Sequence, residues 1–158
     1  QRVFDLELVL AVDTALRLDD EALVERQVEG MEVQVAILDG QVLGAAEVAG
    51  ESGLLDWAAR CGASRTRVVV PPRLSTERLR GVVALALRAH HMLGCDGLTR
   101  VDMILPERGN EQVIEVDAQP DLAPGSLILK LAHAAGLPFP RLIGRLADGA
   151  RLHTGRRM

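Results

Sequence analysis

The chain has 158 residues, of which 48% are hydrophobic and only 2% aromatic, and its formal net charge is −4. This length suits one domain, or a large piece of one, with a core built mainly from Leu, Val, Ala and Ile. The negative charge argues against a nucleic-acid partner, and the lack of a long uncharged apolar run argues against a membrane span. Two cysteines are too few for a disulfide framework, so we expect a reduced, cytoplasmic protein. Because the chain starts at Gln1 within a helical pattern, we also expect it to be a piece of a longer polypeptide.

Helical and strand patterns follow each other along the chain, with turn signals between them. Asp39–Gly40 between two alternating segments is typical of a β-hairpin, and Ser75 can cap the clearest helix. Residues 50–65 have the composition of a long loop. Strands clustered with helices between and after them predict an α+β fold with a mainly antiparallel sheet flanked by helices. The predicted helices are 6–18, 75–93, 126–135 and 140–146, and the predicted strands are 22–28, 32–38, 41–48, 66–70, 99–105 and 112–117.

A polar turn over residues 106–111 joins two of these strands and sets their register. If Leu105 and Gln112 close the strands, Asp102 lies directly opposite Glu115, with the Cβ atoms about 5 Å apart. Because side chains alternate along a strand, one face carries the charged residues and the other packs on the core. The charged face is predicted to hold Arg100, Asp102, Ile104, Val113, Glu115 and Asp117, and the core face Val101, Met103, Leu105, Ile114 and Val116.

The three carboxylates Asp102, Glu115 and Asp117 on one face repel each other and need a compensating cation. A hard divalent cation with oxygen ligands, together with Arg100, meets this need. The spacing alone favours a second interpretation: a solvated acidic face in which Arg100 pairs with Asp102. A register slip of one residue would separate the carboxylates.

Several segments, in order and at matching spacing, resemble the D-alanine–D-alanine ligases, which are members of the ATP-grasp superfamily. Residues 93–102, LGCDGLTRVD, resemble the family's LGCRGLARVD segment, and residues 114–120, IEVDAQP, resemble its NEINTMPG strand. Residues 126–146 resemble the family's SLVPKLAAAAGLSYPELIDRL, and residues 22–33 resemble its VLVEEYIEGREFTV. The similarity runs through nearly all of the chain and is more specific than any single motif.

The resemblance implies the ATP-binding lobe of a carboxylate–amine ligase that works through an acyl phosphate in peptidoglycan biosynthesis. Its cofactors would be ATP and Mg²⁺ or Mn²⁺, with two metal ions, and its substrates would be small amino acids. Residues 1–148 would form the ATP-grasp C-terminal subdomain and residues 149–158 a basic tail. The N-terminal and central lobes of the same polypeptide would be its partners, so this part alone would catalyse little. A homodimer is left open.

By this resemblance, Asp102 and Glu115 bind the metal ions, and Glu115 bridges them. Asp117 is a third metal ligand and stands where the family usually has Asn, so the site gains a negative charge. Arg100 would stabilise the acyl phosphate and the oxyanion that follows it, a role for a preorganised positive charge.

The resemblance also assigns the nucleotide and the second amino acid to particular residues. Glu32 would bind the ribose hydroxyls, although an ordinary exposed strand residue is the alternative, and Ile114 would pack under the base. Ser126, with the backbone of Leu127, would hold the carboxylate of the second amino acid, and it fits a helix N-cap equally well. The hinge strand along the adenine would be Glu25, Arg26, Gln27 and Val28.

The long loop departs most from the family. Arg60 would replace the Lys that contacts the γ-phosphate, Trp57 the first Tyr, and Cys61 the Tyr that helps close the site. Asp121 stands where a Gly offers its backbone NH to the oxyanion. These changes bear on D-alanine as substrate more than on ATP and metal. A related ATP-grasp ligase for other amino or hydroxy acids, or a degenerate non-catalytic module, is therefore the alternative.

Overall fold

The computed structural model of the protein describes residues 2–50 and 66–150. Within these ranges, five strands form one antiparallel sheet in the order β3-β2-β1-β4-β5, and helices lie on both of its faces. The predicted α+β class with a mainly antiparallel sheet is confirmed. The elements are α1 (Arg2–Leu16), β1 (Met31–Leu38), β2 (Gln41–Gly50), β3 (Thr66–Val69), α2 (Thr76–Met92), β4 (Leu98–Leu105), β5 (Gln112–Asp117), α3 (Leu127–Ala134) and α4 (Phe139–Gly149).

The turn between β1 and β2 confirms the predicted hairpin. Asp39 and Gly40 have φ angles of 51° and 72°. Positive φ at both central residues is the geometry that matches the right-handed twist of the flanking strands. The pairing of β1 with β2 therefore follows from a signal that is local in the sequence.

Alternation along β1 divides the core into two clusters, one on each face of the sheet. Val33, Val35 and Ile37 face α2, whereas Ala36 and Leu38 face α3 and α4. α3 and α4 cover only part of their face of the sheet, and polar residues of β1, β4 and β5 occupy the rest of that face. The α2-side cluster contains Val33, Val35, Ile37, Ala45, Val82, Ala86, Val101, Met103 and Leu105; the α3-side cluster contains Ala36, Leu38, Ala46, Val48, Leu98, Ile128, Leu131, Ala132, Leu137 and Leu142.

The predicted strand over residues 22–28 is wrong. This segment follows α1 without joining the sheet, whose edges in the described part of the chain are β3 and β5. Leu23 and Val24 are 85% and 56% exposed. Apolar composition favours a strand, but a strand forms only where a neighbour satisfies its backbone groups.

α1 carries large apolar side chains on every side. Leu6, Leu8, Val9 and Leu10 are each at least half exposed, and at about 100° per residue they point in different directions. A helix that is apolar all round is normally buried within a larger structure. None of the helices in the two described ranges has the length and apolar character that a bilayer crossing requires.

Candidate active site

The β4–β5 hairpin places the three predicted carboxylates together. Asp102 lies directly opposite Glu115, as the turn length predicts, and Arg100 lies opposite Asp117 in the same antiparallel ladder. The register around the charged residues is therefore confirmed.

The predicted closing pair of this hairpin is wrong by one residue. Gln112 pairs with Ile104 rather than with Leu105, and a register shift between the turn and the carboxylates makes Ile114 an extra residue in β5. The bulge reverses two predicted side-chain positions: Val113 packs against the α2-side cluster, and Ile114 is 50% exposed. The extra residue offsets the one-residue error in the closing pair, so Asp102 still lies opposite Glu115.

Arg100 contacts all three carboxylates of this face. Its Nε donates to Oδ1 of Asp102 at 2.7 Å, and its Nη2 donates to Oδ2 of the same residue at 3.0 Å. Its Nη1 lies 3.2 Å from Oδ2 of Asp117, and its Nη2 lies 4.0 Å from Oε1 of Glu115. The carboxylates therefore surround one guanidinium.

The centre of this cluster is shielded from water. The side chain of Asp102 is 4% exposed and that of Arg100 is 15% exposed, whereas that of Glu115 is 44% exposed. The alternative interpretation is thus right about the Arg100–Asp102 pair but wrong about the solvation of Asp102, whereas Glu115 does face water in part. Burial, the largest influence on Arg100, would lower its pKa, but the hydrogen bonds to Asp102 and the charges of the three carboxylates together raise the pKa.

Gln34 on β1 joins the cluster from the neighbouring strand. Its Nε2 lies 3.3 Å from Oδ2 of Asp102 and 3.1 Å from Oε1 of Glu32. Sequence reasoning missed this residue, although Glu32 and Gln34 alternate with buried valines and so mark one polar face of β1. Glu32 therefore lies on the same face of the sheet as Asp102, and Gln34 hydrogen-bonds to both carboxylates.

No three His, Cys, Asp or Glu side chains of residues 2–50 and 66–150 are arranged so that they could hold a metal ion as they stand. Asp102, Glu115 and Asp117 each have an oxygen within 4.0 Å of the guanidinium of Arg100, which lies among them. Their oxygens are nevertheless the ligand type that Mg²⁺ and Mn²⁺ prefer. With Arg100 in place, the cluster keeps a net charge of −2.

A cleft of about 520 Å³ lies beside this cluster, between the sheet and the N-terminus of α3. It brings together four residues predicted for the site: Arg100, Glu115, Asp117 and Ser126. The Ser126 hydroxyl accepts a hydrogen bond from the backbone NH of Leu129 at 3.5 Å, which confirms the N-cap. Residues that sequence reasoning did not assign also line the cleft, among them Gln34, Thr66, Gln119 and Lys130.

The remaining predicted residues lie elsewhere. The predicted hinge residues lie in a second cleft of about 470 Å³, next to Pro106 and residues 108–110 of the β4–β5 turn. They do not line the cleft that holds Arg100 and Ser126. Arg60, Trp57 and Cys61 fall outside the described residues. The hinge residues concerned are Glu25, Arg26, Gln27 and Val28.

A second buried carboxylate on the other face of the sheet provides a comparison. Glu47 is 4% exposed and lies opposite Val33 in the β1–β2 ladder. Arg73 grips it with two guanidinium nitrogens, one of them Nε at 2.9 Å from Oε2, and Arg67 approaches to 3.5 Å. The hydrogen bond from Arg73 lowers the pKa of Glu47. This pair resembles Arg100–Asp102 but has no other carboxylate beside it among the contacts described here.

Comparisons with known proteins identify the family of the chain. A family model described as "D-ala D-ala ligase C-terminus" matches residues 4–148. A D-alanine–D-alanine ligase of Anaeromyxobacter sp. (strain Fw109-5) is 42% identical over 138 residues, which are 87% of this chain and 45% of the relative.

Two solved structures show the same fold over most of the chain. The D-alanine–D-alanine ligase from Bacillus anthracis complexed with ATP has a TM-score of 0.77 and 26% identity, and the match covers 90% of this chain and 45% of that one. VanG D-Ala:D-Ser ligase from Enterococcus faecalis has a TM-score of 0.78 and 27% identity, covering 90% and 43%. The chain thus spans less than half the length of these proteins. The chain belongs to the D-alanine–D-alanine ligase family, and it corresponds to the carboxyl-terminal part of the ATP-grasp fold.

Proposed function

We propose that this chain is the ATP- and metal-binding lobe of a ligase that joins two small amino acids. The observation that carries the proposal is the meeting of Arg100, Glu115, Asp117 and Ser126 in one cleft. A cluster of carboxylates with a cation is suited to phosphates and metal, and a capped helix N-terminus is suited to a substrate carboxylate. A relative of 26% identity complexed with ATP supports the choice of nucleotide.

The donor set of the hairpin fits a divalent cation. Asp102, Glu115 and Asp117 offer only hard oxygen ligands, and their net charge of −2 beside Arg100 favours cation binding. These residues would hold two Mg²⁺ or Mn²⁺ ions. A bound ion would neutralise phosphate charge and orient the γ-phosphoryl group for transfer.

The reaction would proceed in two steps, phosphoryl transfer and then amide formation. A carboxylate oxygen of the first amino acid attacks the γ-phosphorus of ATP, the bond from this phosphorus to the bridging oxygen breaks, and ADP leaves with the electron pair. The amine of the second amino acid then attacks the acyl carbon, the carbon–oxygen bond breaks with its electron pair leaving on phosphate, and the amine gives up a proton to the departing phosphate as the amide forms. Arg100 stabilises charge on the transferred phosphoryl group and on the oxyanion. Ser126 and the N-terminus of α3 orient the carboxylate of the second amino acid.

The order of residues along β4 supports one orientation of the nucleotide. Asp102 pairs with Gln34, Ile104 pairs with Glu32, and the turn beyond them borders the hinge segment. A nucleotide lying along this hairpin would place its phosphates at Asp102, its ribose at Glu32 and its base at the hinge. Ile114 in the bulge of β5 would lie under the base, Arg60 would contact the γ-phosphate, and the hinge would be formed by Glu25, Arg26, Gln27 and Val28.

The exposed apolar surface of α1 supports a partner lobe. Exposed apolar side chains this close together are typical of an interaction surface, so we expect another part of the ligase to cover them. The residues are Leu6, Leu8, Val9 and Leu10. The matched part of this chain is 45% of the length of one relative, so the N-terminal half of such a ligase is the natural occupant. On its own, the chain should bind metal–nucleotide weakly and catalyse little.

Calorimetric titration of Mg-ATP and Mn-ATP tests this proposal. Glu115→Gln should weaken metal-dependent nucleotide binding by about tenfold or more, because it removes one ionic ligand. Glu107→Gln is the matched control, since Glu107 is an exposed residue of the same hairpin at its turn. Nucleotide binding that needs no metal, or that Glu115→Gln leaves unchanged, would overturn the proposal and favour a non-catalytic module.

The second candidate is a ligase of this family with another second substrate. Asp121 and Lys130 line the cleft beside Ser126 and so stand near the proposed site of that substrate. One structural relative is named as a D-Ala:D-Ser ligase. A panel of amino and hydroxy acids, offered to the complete polypeptide with ATP, decides between the candidates through the substrate dependence of phosphate release.

A further inference from the structure

We propose that Arg100 serves as the internal counter-ion of the three carboxylates in the metal-free protein, and that a divalent cation displaces it into the cleft. The inference rests on the proposed function, because it takes Asp102, Glu115 and Asp117 as the metal ligands. It adds that metal binding and the release of Arg100 for an anionic substrate are one exchange.

The hydrogen bonds around Arg100 show why the two cations compete. Both oxygens of Asp102 accept from Arg100, at 2.7 and 3.0 Å, and Oδ2 of Asp117 lies 3.2 Å from Nη1. A Mg²⁺ ion binds carboxylate oxygens at about 2.1 Å, so an ion bound at these same oxygens would lie close to the guanidinium. Two cations so close repel each other, which favours movement of the singly charged side chain of Arg100 away from the ion.

The burial of Asp102 explains why a cation must always be present. The side chain is only 4% exposed, so water cannot solvate this carboxylate. An unpaired buried charge is strongly unfavourable. Arg100 meets that need when no metal is bound. Once a divalent cation takes over, Asp102 no longer requires the guanidinium.

The position of Arg100 gives the displaced side chain a destination. It lines the cleft that also contains Ser126 and Lys130, so a released guanidinium can turn toward a ligand there without crossing the core. Its planar fork suits two oxygens of a phosphate. Because linkage is reciprocal, divalent metal should tighten phosphate binding, and phosphate should tighten metal binding, by the same factor.

Side-chain NMR of the 158-residue chain follows Arg100 directly. During titration with MgCl₂, the Nε signal of Arg100 should shift and its Hε should exchange faster with water as the bond to Asp102 opens. Arg73 supplies the internal reference, since it grips the buried Glu47 on the opposite face of the sheet. The signal of Arg73 should stay unchanged.

Arg100→Lys tests the competition while the formal charge is constant. Lysine lacks the two-pronged grip on Asp102, so Mg²⁺ should bind this variant about fivefold more tightly than the wild type. Arg73→Lys makes the same change beside another buried carboxylate and should leave Mg²⁺ affinity unaltered. Circular dichroism checks that each variant is folded, and the wild-type NMR titration needs no variant.

The outcomes separate this inference from the proposed function. If Glu115→Gln abolishes Mg²⁺ binding but the Arg100 signal never moves and Arg100→Lys binds no more tightly, the exchange is wrong and the metal site stands. If the wild type binds no Mg²⁺, or binds it equally well in Glu115→Gln, the proposed metal site is wrong and the exchange falls with it.

Discussion

Replacement of Asp102 by Asn should destabilise the protein even though it relieves repulsion among three carboxylates. Asp102 is buried, accepts two hydrogen bonds from Arg100 and lies within reach of Gln34. Asn keeps the size of the side chain but loses its charge, and its amide group would present hydrogens to those of Arg100. A solvated acidic face predicts the opposite sign, because there the removal of one carboxylate would stabilise the hairpin.

The expected magnitude follows from the surroundings of Arg100. Removing one partner of a buried ion pair costs about 3–5 kcal/mol when the other charge is left without compensation. Arg100 would keep Asp117 at 3.2 Å and Glu115 at 4.0 Å, so its charge stays partly compensated and the loss should lie at or below the lower end of this range. We expect the free energy of unfolding to fall by about 2–3 kcal/mol, which corresponds to about 5–10 °C in Tm for a chain of this size.

Urea denaturation in metal-free buffer with a chelator measures this loss without any contribution from bound cation. Asp121→Asn is the matched control: Asp121 is an exposed carboxylate of the same cleft, and its bond to the backbone NH of Ala123 can be kept by Asn. The control should stay within about 0.5 kcal/mol of the wild type. A stability of Asp102→Asn equal to that of the control, or above the wild type, would refute a buried structural ion pair.

Further predictions concern the sheet and its second buried carboxylate. Gly30→Ala should lower the free energy of unfolding by about 2 kcal/mol, because its Cβ would lie 2.5 Å from the carbonyl oxygen of Leu105. Gly81→Ala in α2, where nothing lies within 4 Å, should raise it by about 0.5–1 kcal/mol, and equal effects in urea denaturation would contradict both expectations. Glu47→Gln should flatten the pH dependence of stability. Since Arg73 lowers the pKa of Glu47 below its ordinary value of 4.5, the stabilisation is complete above that pH and is lost as the pH falls through the folded-state pKa. Denaturation from neutral pH down to about pH 3 should show a shallower slope in the variant, and an unchanged slope would refute this.

The fold was predictable where the determining signals are local. Asp39–Gly40 specifies a turn by its own backbone preferences, and Ser75 caps α2 with a hydrogen bond to the NH of Arg78 three residues away. The strand expected over residues 22–28 failed because pairing depends on a neighbour distant in sequence, which composition does not reveal. The bulge at Ile114 was not predicted for a related reason. It accompanies the packing of Val113 on the α2-side cluster, which is a contact with residues distant in sequence.

The charged residues of the β4–β5 hairpin were predictable from the sequence, but their arrangement around Arg100 was not. The assumed turn placed Asp102 opposite Glu115 only because the bulge offsets an error of one residue in the closing pair. Alternation along β4 added Arg100, and the family resemblance added Ser126. That Arg100 would bind all three carboxylates could not be deduced, because it depends on how deeply Asp102 is buried by neighbouring strands. Gln34 on β1 depends on the register between β1 and β4, which no local signal sets.

The central claim is that the carboxylates of the β4–β5 hairpin hold the divalent cation. Paramagnetic broadening of backbone amide signals by Mn²⁺ locates the ion directly. We predict the strongest broadening at Asp102, Glu115 and their neighbours, with competition by Mg²⁺. Strongest broadening instead at the separate cleft of about 500 Å³ lined by Asp39 and Asp148, or no site-specific broadening at all, would contradict the claim.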